Sequence, residues 1–242
     1  MNNYTLWDSY MRSYDFLMGV QAYQQGLNDI LDITKPKLRE RILDAGSGTG
    51  NLSLLLKAQG AQVTSLDFAE SALDIHRQKD PEADLLQASL EEPLPIETST
   101  LGKICCASVM FTLTECGRRN AVFEFYRILK PGGQLILTMG TKQAGLLKLF
   151  HMHYSGLRSR MSRIGSISRI LLDFPKLSQI AYYNFKLQGL PRNRGFSILN
   201  ETELEQLLSE FGFVDIAFKR TYGSSFLLVN ATKPFPVRIN AH

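Results

Sequence analysis

Leu43-Asp44-Ala45-Gly46-Ser47-Gly48-Thr49-Gly50 lies between the apolar run 41–43 and the amphipathic stretch 51–59, and it is the most informative segment of the chain. Glycines at 46, 48 and 50 permit positive φ and carry no Cβ, so the backbone there can turn sharply and come close to a ligand. This predicts a strand, a tight loop and then a helix. A helix opening near Asn51 turns unpaired N–H groups and the positive end of its dipole toward the loop, a setting that suits a carboxylate or phosphate.

Working outward, Asp67 closes the apolar segment 62–66. It lies about 20 residues beyond the loop, where a dinucleotide fold places the carboxylate that holds ribose hydroxyls. A nucleoside cofactor is therefore expected. NAD is disfavoured, because G-x-G-x-x-G would require glycine at 51, where the chain has Asn51; the pattern here is G-x-G-x-G.

Residues 44–50 resemble the first motif of the class I S-adenosylmethionine (SAM) dependent methyltransferases, and the resemblance spans roughly 38–140. Three further landmarks come in that family's order: Asp67, then Glu92-Pro93-Leu94-Pro95-Ile96, then Leu129-Lys130-Pro131-Gly132-Gly133. The resemblance implies an α/β fold, a Rossmann-like seven-stranded and mostly parallel sheet with helices on both faces, an antiparallel C-terminal hairpin and a helical lid insertion. It implies SAM as the cofactor, with Asp44 ordering the loop, Gly46, Ser47, Gly48 and Gly50 approaching the methionyl part, and Asp67 with the adjoining Phe68 at the ribose. Ser89 and Leu90 stand where an Asp commonly meets the adenine amine, and Ser108 follows the fourth strand at the ligand-binding edge.

Apolar spacing supports this order. Helices are expected over 51–59, 71–78 and 118–129 and, after a capping-box-like start at Asn200-x-x-Glu203, on to 211, and strands over 62–66, 83–87, 103–108, 134–139, 213–220 and 225–231; their alternation implies a parallel sheet. Residues 4–33 read as two short helices interrupted near Gly19 and Gly26, with Tyr10, Tyr14 and Tyr23 as candidate walls of a methyl-donor pocket. His76 reads as a surface helix residue. A single methyltransferase domain is expected, divided into N-terminal helices (1–34), a cofactor core (35–140), a basic helical lid (141–195) and a C-terminal helix and hairpin (196–242).

A chain of 242 residues, 44% of them apolar, can bury a sizeable core. Cys105, Cys106 and Cys116 form no C-x-x-C pair, which suits a reducing compartment. The start Met1-Asn2-Asn3-Tyr4 lacks a basic n-region followed by an apolar h-region, and no run approaches the ~18 apolar residues needed to span a bilayer, so a cytoplasmic location is expected. Charge is uneven: residues 141–200 hold ten Lys or Arg and a single acid, Asp173, giving +9 against −5 for the remainder.

Methyl transfer from a sulfonium is an in-line displacement that needs alignment and exclusion of water more than a covalent or metal centre. No metal is expected. His151 and His153 in the lid, with Tyr14, are the candidates for a proton-accepting or substrate-touching role. The basic, apolar-interleaved lid points to a small organic or lipid-like, anionic acceptor and to peripheral contact with anionic lipid. Nucleic acid ranks below these, since no RNA-binding module or stacking platform accompanies the charge. The alternative reading is a non-catalytic SAM-binding scaffold with a membrane-associating lid. Oligomeric state and the acceptor atom are not legible.

Overall fold

The computed structural model describes residues 7, 10, 11, 13–141, 148, 151, 154, 155, 157, 158, 162–188 and 197–236. Seven strands form one sheet: β1 (Arg41–Ala45), β2 (Gln62–Asp67), β3 (Asp84–Gln87), β4 (Leu101–Cys106), β5 (Leu129–Gly140), β6 (Val214–Thr221) and β7 (Phe226–Thr232). Their order is β3-β2-β1-β4-β5-β7-β6, parallel from β3 through β5 and antiparallel across β5–β7–β6. The helices are α1 (Gln21–Thr34), α2 (Asn51–Ala58), α3 (Glu70–Lys79), α4 (Glu115–Ile128), α5 (Arg163–Gln188) and α6 (Glu201–Glu210). The expected Rossmann-like architecture is present. Among the described residues, no helix is long and apolar enough to cross a membrane.

Two apolar layers flank the sheet. On one face α4 and α6 deliver Val122, Phe125, Ile128, Leu204 and Leu208 against Leu43, Ile104's neighbour Cys106 and Leu135. On the other, α1 and α2 deliver Leu27, Ile30, Leu52 and Leu56 against Ile42 and Cys105. Cys105 and Cys106 thus point to opposite faces, as consecutive strand residues must.

The landmark at 92–96 has a structural purpose. The Leu94 amide donates to Glu124 (2.7 Å), and Arg127 donates to the Leu94 and Ile96 carbonyls at 3.0 and 2.8 Å while pairing with Glu124. This pins the loop onto α4 and buries the Leu94 side chain. At α6, Asn200 accepts from the Glu203 amide (3.0 Å) and Glu203 accepts from the Asn200 amide (2.8 Å), a complete capping box.

Several sequence expectations need correction. Helix α4 begins at Glu115, not 118, because Thr114 caps it by accepting from the Gly117 amide at 3.0 Å. Strand β5 starts at Leu129, not 134, and takes in the Pro131-Gly132-Gly133 stretch. Gly26 does not interrupt a helix; it lies inside α1, where a Cβ would sit 2.3 Å from the Tyr222 ring. The glycine is there for the close approach of α1 to the C-terminal hairpin, which Asp29 reinforces by accepting from Lys219 (2.8 Å) and Thr221 (2.6 Å). Gly26→Ala is therefore expected to lower the melting temperature, although alanine in a free helix would gain ~1 kcal/mol. In a Tyr222→Ala background the same change should be neutral or stabilising, and thermal melts of the four proteins check it.

A candidate cofactor cleft at the carboxyl edge of the sheet

The order of strands reverses between β1 and β4, and ligands of open α/β sheets bind in the crevice at such a point, beyond the carboxyl ends of the strands. The glycine loop leaves β1 at this place. Gly46 and Ser47 amides both donate to the Leu66 carbonyl (2.7 and 2.8 Å), and the Gly48 amide donates to Asp67 Oδ2 (2.8 Å). Asp67 Oδ1 accepts from the Ala69 amide at 2.9 Å. The loop is thereby sewn to the end of β2, with one lone pair on each Asp67 oxygen already committed.

The three glycines have different tasks. All have positive φ (75°, 52° and 83°), but a Cβ on Gly46 would meet Val109 at 2.3 Å and one on Gly50 would meet the His76 ring at 2.3 Å. Gly46 and Gly50 thus also have packing reasons to be glycine. Only Gly48 faces space, its nearest neighbour there being Met11 Sδ at 3.7 Å. His76 is likewise not a surface residue. It is 1% exposed beneath Gly50, burial depresses its pKa, and its Nδ1 has no hydrogen-bond partner.

Two buried carboxylates sit below the loop, and among the described residues neither forms an ion pair. Asp44 accepts from Ser53 Oγ (2.5 Å), which itself accepts from Ser65 Oγ (2.8 Å). Burial, with a smaller contribution from the Asp67 charge, pushes the Asp44 carboxyl up to about 7. Burial also raises Asp67, opposed by its backbone amides. Because the folded-state pKa of Asp44 lies above its unfolded value, the native state holds the extra proton between pH ~4 and 7, and this group's contribution to stability falls as pH rises through that window. Asp44→Asn keeps an acceptor for Ser53. It is expected to make the fall of melting temperature between pH 5 and 8 shallower than in the parent protein, as differential scanning calorimetry at several pH values would show.

A chain of aromatic contacts runs from the end of β2 to the C-terminal hairpin. Successive ring centroids run Phe68–Trp7 (6.3 Å), Trp7–Tyr10 (5.8 Å), Tyr10–Tyr14 (5.6 Å), Tyr14–Tyr23 (5.8 Å), Tyr23–Tyr222 (6.0 Å) and Tyr222–Phe226 (4.9 Å). The N-terminal segment is held to the loop by Asp15, which accepts from Thr49 Oγ1 (2.5 Å) and Lys79 Nζ (2.7 Å); the same ammonium reaches Thr49 O and Asn51 Oδ1. Ile180 of α5 joins the same apolar cluster, and Tyr183 meets Tyr10 at 6.2 Å.

The remaining candidates fall as follows. Ser47 is at the loop with its hydroxyl buried and unpartnered. Phe68 ends the aromatic chain. Ser89 accepts from the Glu91 amide (3.2 Å), and Leu90 is a core residue at 5% exposure, so its backbone rather than its side chain is what it can offer the cleft. Ser108 adopts φ 61° beyond β4, its amide donating to Thr138 Oγ1 at 2.7 Å, a strained conformation of the kind found at sites. Burial holds the Tyr14 hydroxyl well above the ordinary value of 10. His151 is exposed, and His153 lies outside the described residues. Sequence reasoning missed Met11, Asp15 and Lys79, whose roles depend on contacts between residues far apart in the chain and leave no local signal.

Comparison with known proteins gives a consistent result. A family model described as a methyltransferase domain matches residues 42–133. The chain is 36% identical over 131 residues to the biotin biosynthesis bifunctional protein BioHC of Cellvibrio japonicus, covering 53% of this chain and 25% of that protein. It is 35% identical over 112 residues to the demethylmenaquinone methyltransferase of Thermus thermophilus, covering 44% and 50%. The chain thus spans a quarter of the first relative and half of the second. In fold it is similar to the crystal structure of a TehB-like SAM-dependent methyltransferase from Corynebacterium glutamicum, with a TM-score of 0.62 at 19% identity over 94% of this chain and 97% of that one.

Proposed function

We propose, from the match of residues 42–133 to a methyltransferase-domain family model, that this protein binds SAM at the glycine loop and moves its methyl group to a small organic or lipid-like acceptor. The observation that carries the reading is the pairing of an open Gly48 with the buried carboxylate of Asp67, which forms no ion pair among the described residues, at the switch point of the sheet. The residues fit the group: Asp67 accepts from backbone amides and keeps acceptor capacity for ribose hydroxyls, and Gly48 leaves room for close backbone approach.

When bound, SAM supplies a methyl already activated by its sulfonium. The chain then has to orient and to exclude water, and the continuous rings from Phe68 through Tyr222 supply a rigid apolar border for both tasks. Tyr14, its hydroxyl raised well above the ordinary value by burial, serves as part of that border rather than as a base. Helix α5, stacked on the N-terminal segment through Ile180 and Tyr183, forms the outer cover, and the basic character of residues 141–200 favours an anionic, amphipathic acceptor.

Calorimetric titration with SAM and, separately, with NAD tests the reading. Micromolar binding of SAM without NAD is the expected result. Binding of NAD alone, or of neither, would overturn it.

A further inference from the structure

The turn that leads into β1, Lys35-Pro36-Lys37, and the landmark Lys130-Pro131-Gly132-Gly133 at the start of β5 meet at the amino edge of the sheet, the end opposite the cofactor cleft. Together with the end of α1 and the start of β4 they line a groove of about 650 Å³, a volume that suits a small-molecule ligand. The cleft gives neither segment a task.

Charge decides what the groove can hold. Its lining sets Lys35, Lys37, Lys103 and Lys130 against Asp32 and Glu40. Lys103 is the buried cation, 6% exposed, and its ammonium donates to Glu40 (3.0 Å) and to the Lys35 carbonyl at the end of α1 (3.2 Å). This one group thus answers both the carboxylate and the negative pole of the helix. An ammonium carries three protons, so one remains uncommitted in a buried position. Lys35, Lys37 and Lys130 are exposed, and among the described residues none of their ammonium groups is in an ion pair. Within the lining only Asp32 is left to oppose those three. A dianion fits this balance, since it neutralises the surplus and accepts charge-assisted hydrogen bonds from the buried ammonium and from the rim.

We propose that this groove binds a small phosphate-bearing dianion, with Lys103 at its base and Lys35, Lys37 and Lys130 at its rim. The site shares no residue with the cofactor cleft, from which the length of β1, on the order of 15 Å, separates it. It therefore stands whether or not the cleft binds SAM.

The experiment is calorimetric titration of the full chain with inorganic phosphate, at low ionic strength and about pH 8, where phosphate is a dianion. Saturable binding, weakened by added sodium chloride, is expected. The Lys35→Ala/Lys130→Ala variant should bind phosphate about tenfold more weakly or worse. A control, Arg77→Ala/Arg220→Ala, removes two exposed cations elsewhere, each in a surface pair of small worth, and should bind phosphate as the parent does. All four positions are exposed, so circular dichroism melts and SAM titrations of both variants should stay close to those of the parent, which separates this result from the cofactor reading. If the groove variant melts well below the parent, Lys37→Ala/Lys130→Ala replaces it with the same expected loss. The proposal is overturned if phosphate shows no saturable binding, if the folded groove variant binds as the parent does, or if the control loses as much affinity as the groove variant.

Discussion

Gly50→Ala is expected to lower stability by about 2–5 kcal/mol and the melting temperature by on the order of 10 °C. Two causes add. Alanine at φ 83° occupies a left-handed conformation that costs ~1–3 kcal/mol, and its Cβ would sit 2.3 Å from the imidazole of His76, which the buried surroundings give little room to move. The two causes are separable in a double-mutant cycle. In a His76→Ala background the overlap disappears and only the backbone strain remains, so the cost of Gly50→Ala should shrink by about 1–3 kcal/mol. Equal costs in both backgrounds would show that the loop does not rest on His76.

Asp67→Ala should weaken SAM binding by roughly 100-fold or more, since it removes charged acceptors for the two ribose hydroxyls at ~1.5–3 kcal/mol each. It also strands the Gly48 and Ala69 amides that now hold the loop, so some loss of stability is expected alongside. Asp67→Asn, which keeps one acceptor oxygen, should fall between the parent and the alanine variant. The check is calorimetric affinity at a temperature where circular dichroism shows both variants folded. Unchanged affinity in folded Asp67→Ala would remove the carboxylate from the cofactor site.

The contrast between these two residues shows how a glycine-rich motif is to be interpreted. The pattern Gly46-x-Gly48-x-Gly50 suggests a uniform cradle, yet two of the three positions are glycine because of Val109 and His76, which come from other loops and helices. Their requirement could not be seen locally. Gly26 makes the same point in a helix: local propensity reads it as an interruption, whereas it is retained for a tyrosine 196 residues downstream.

The legible part of the site is the part built on local backbone geometry. Asp44, the loop and Asp67 lie on consecutive β-loop-α units, so spacing alone predicts that they meet. Met11, Asp15 and Lys79 reach the same loop from an N-terminal segment and from the end of α3, and chain order says nothing of that convergence. His76 looked exposed because it stands among Asp74, Arg77 and Lys79, and helical periodicity did not distinguish the one residue of that turn that faces the loop.

The sequence by itself determined the fold class, the glycine loop after the first strand and the acid that closes the second. Alternation of apolar strands with amphipathic helices leaves few ways to bury both sheet faces, and glycine spacing sets what a loop can approach. Only the tertiary structure decided which glycine stays open, which tyrosines join into a border, and that α5 has one apolar face packed and another exposed. Those outcomes depend on which surfaces meet across long stretches of chain, and steric exclusion between such surfaces is written in no local pattern.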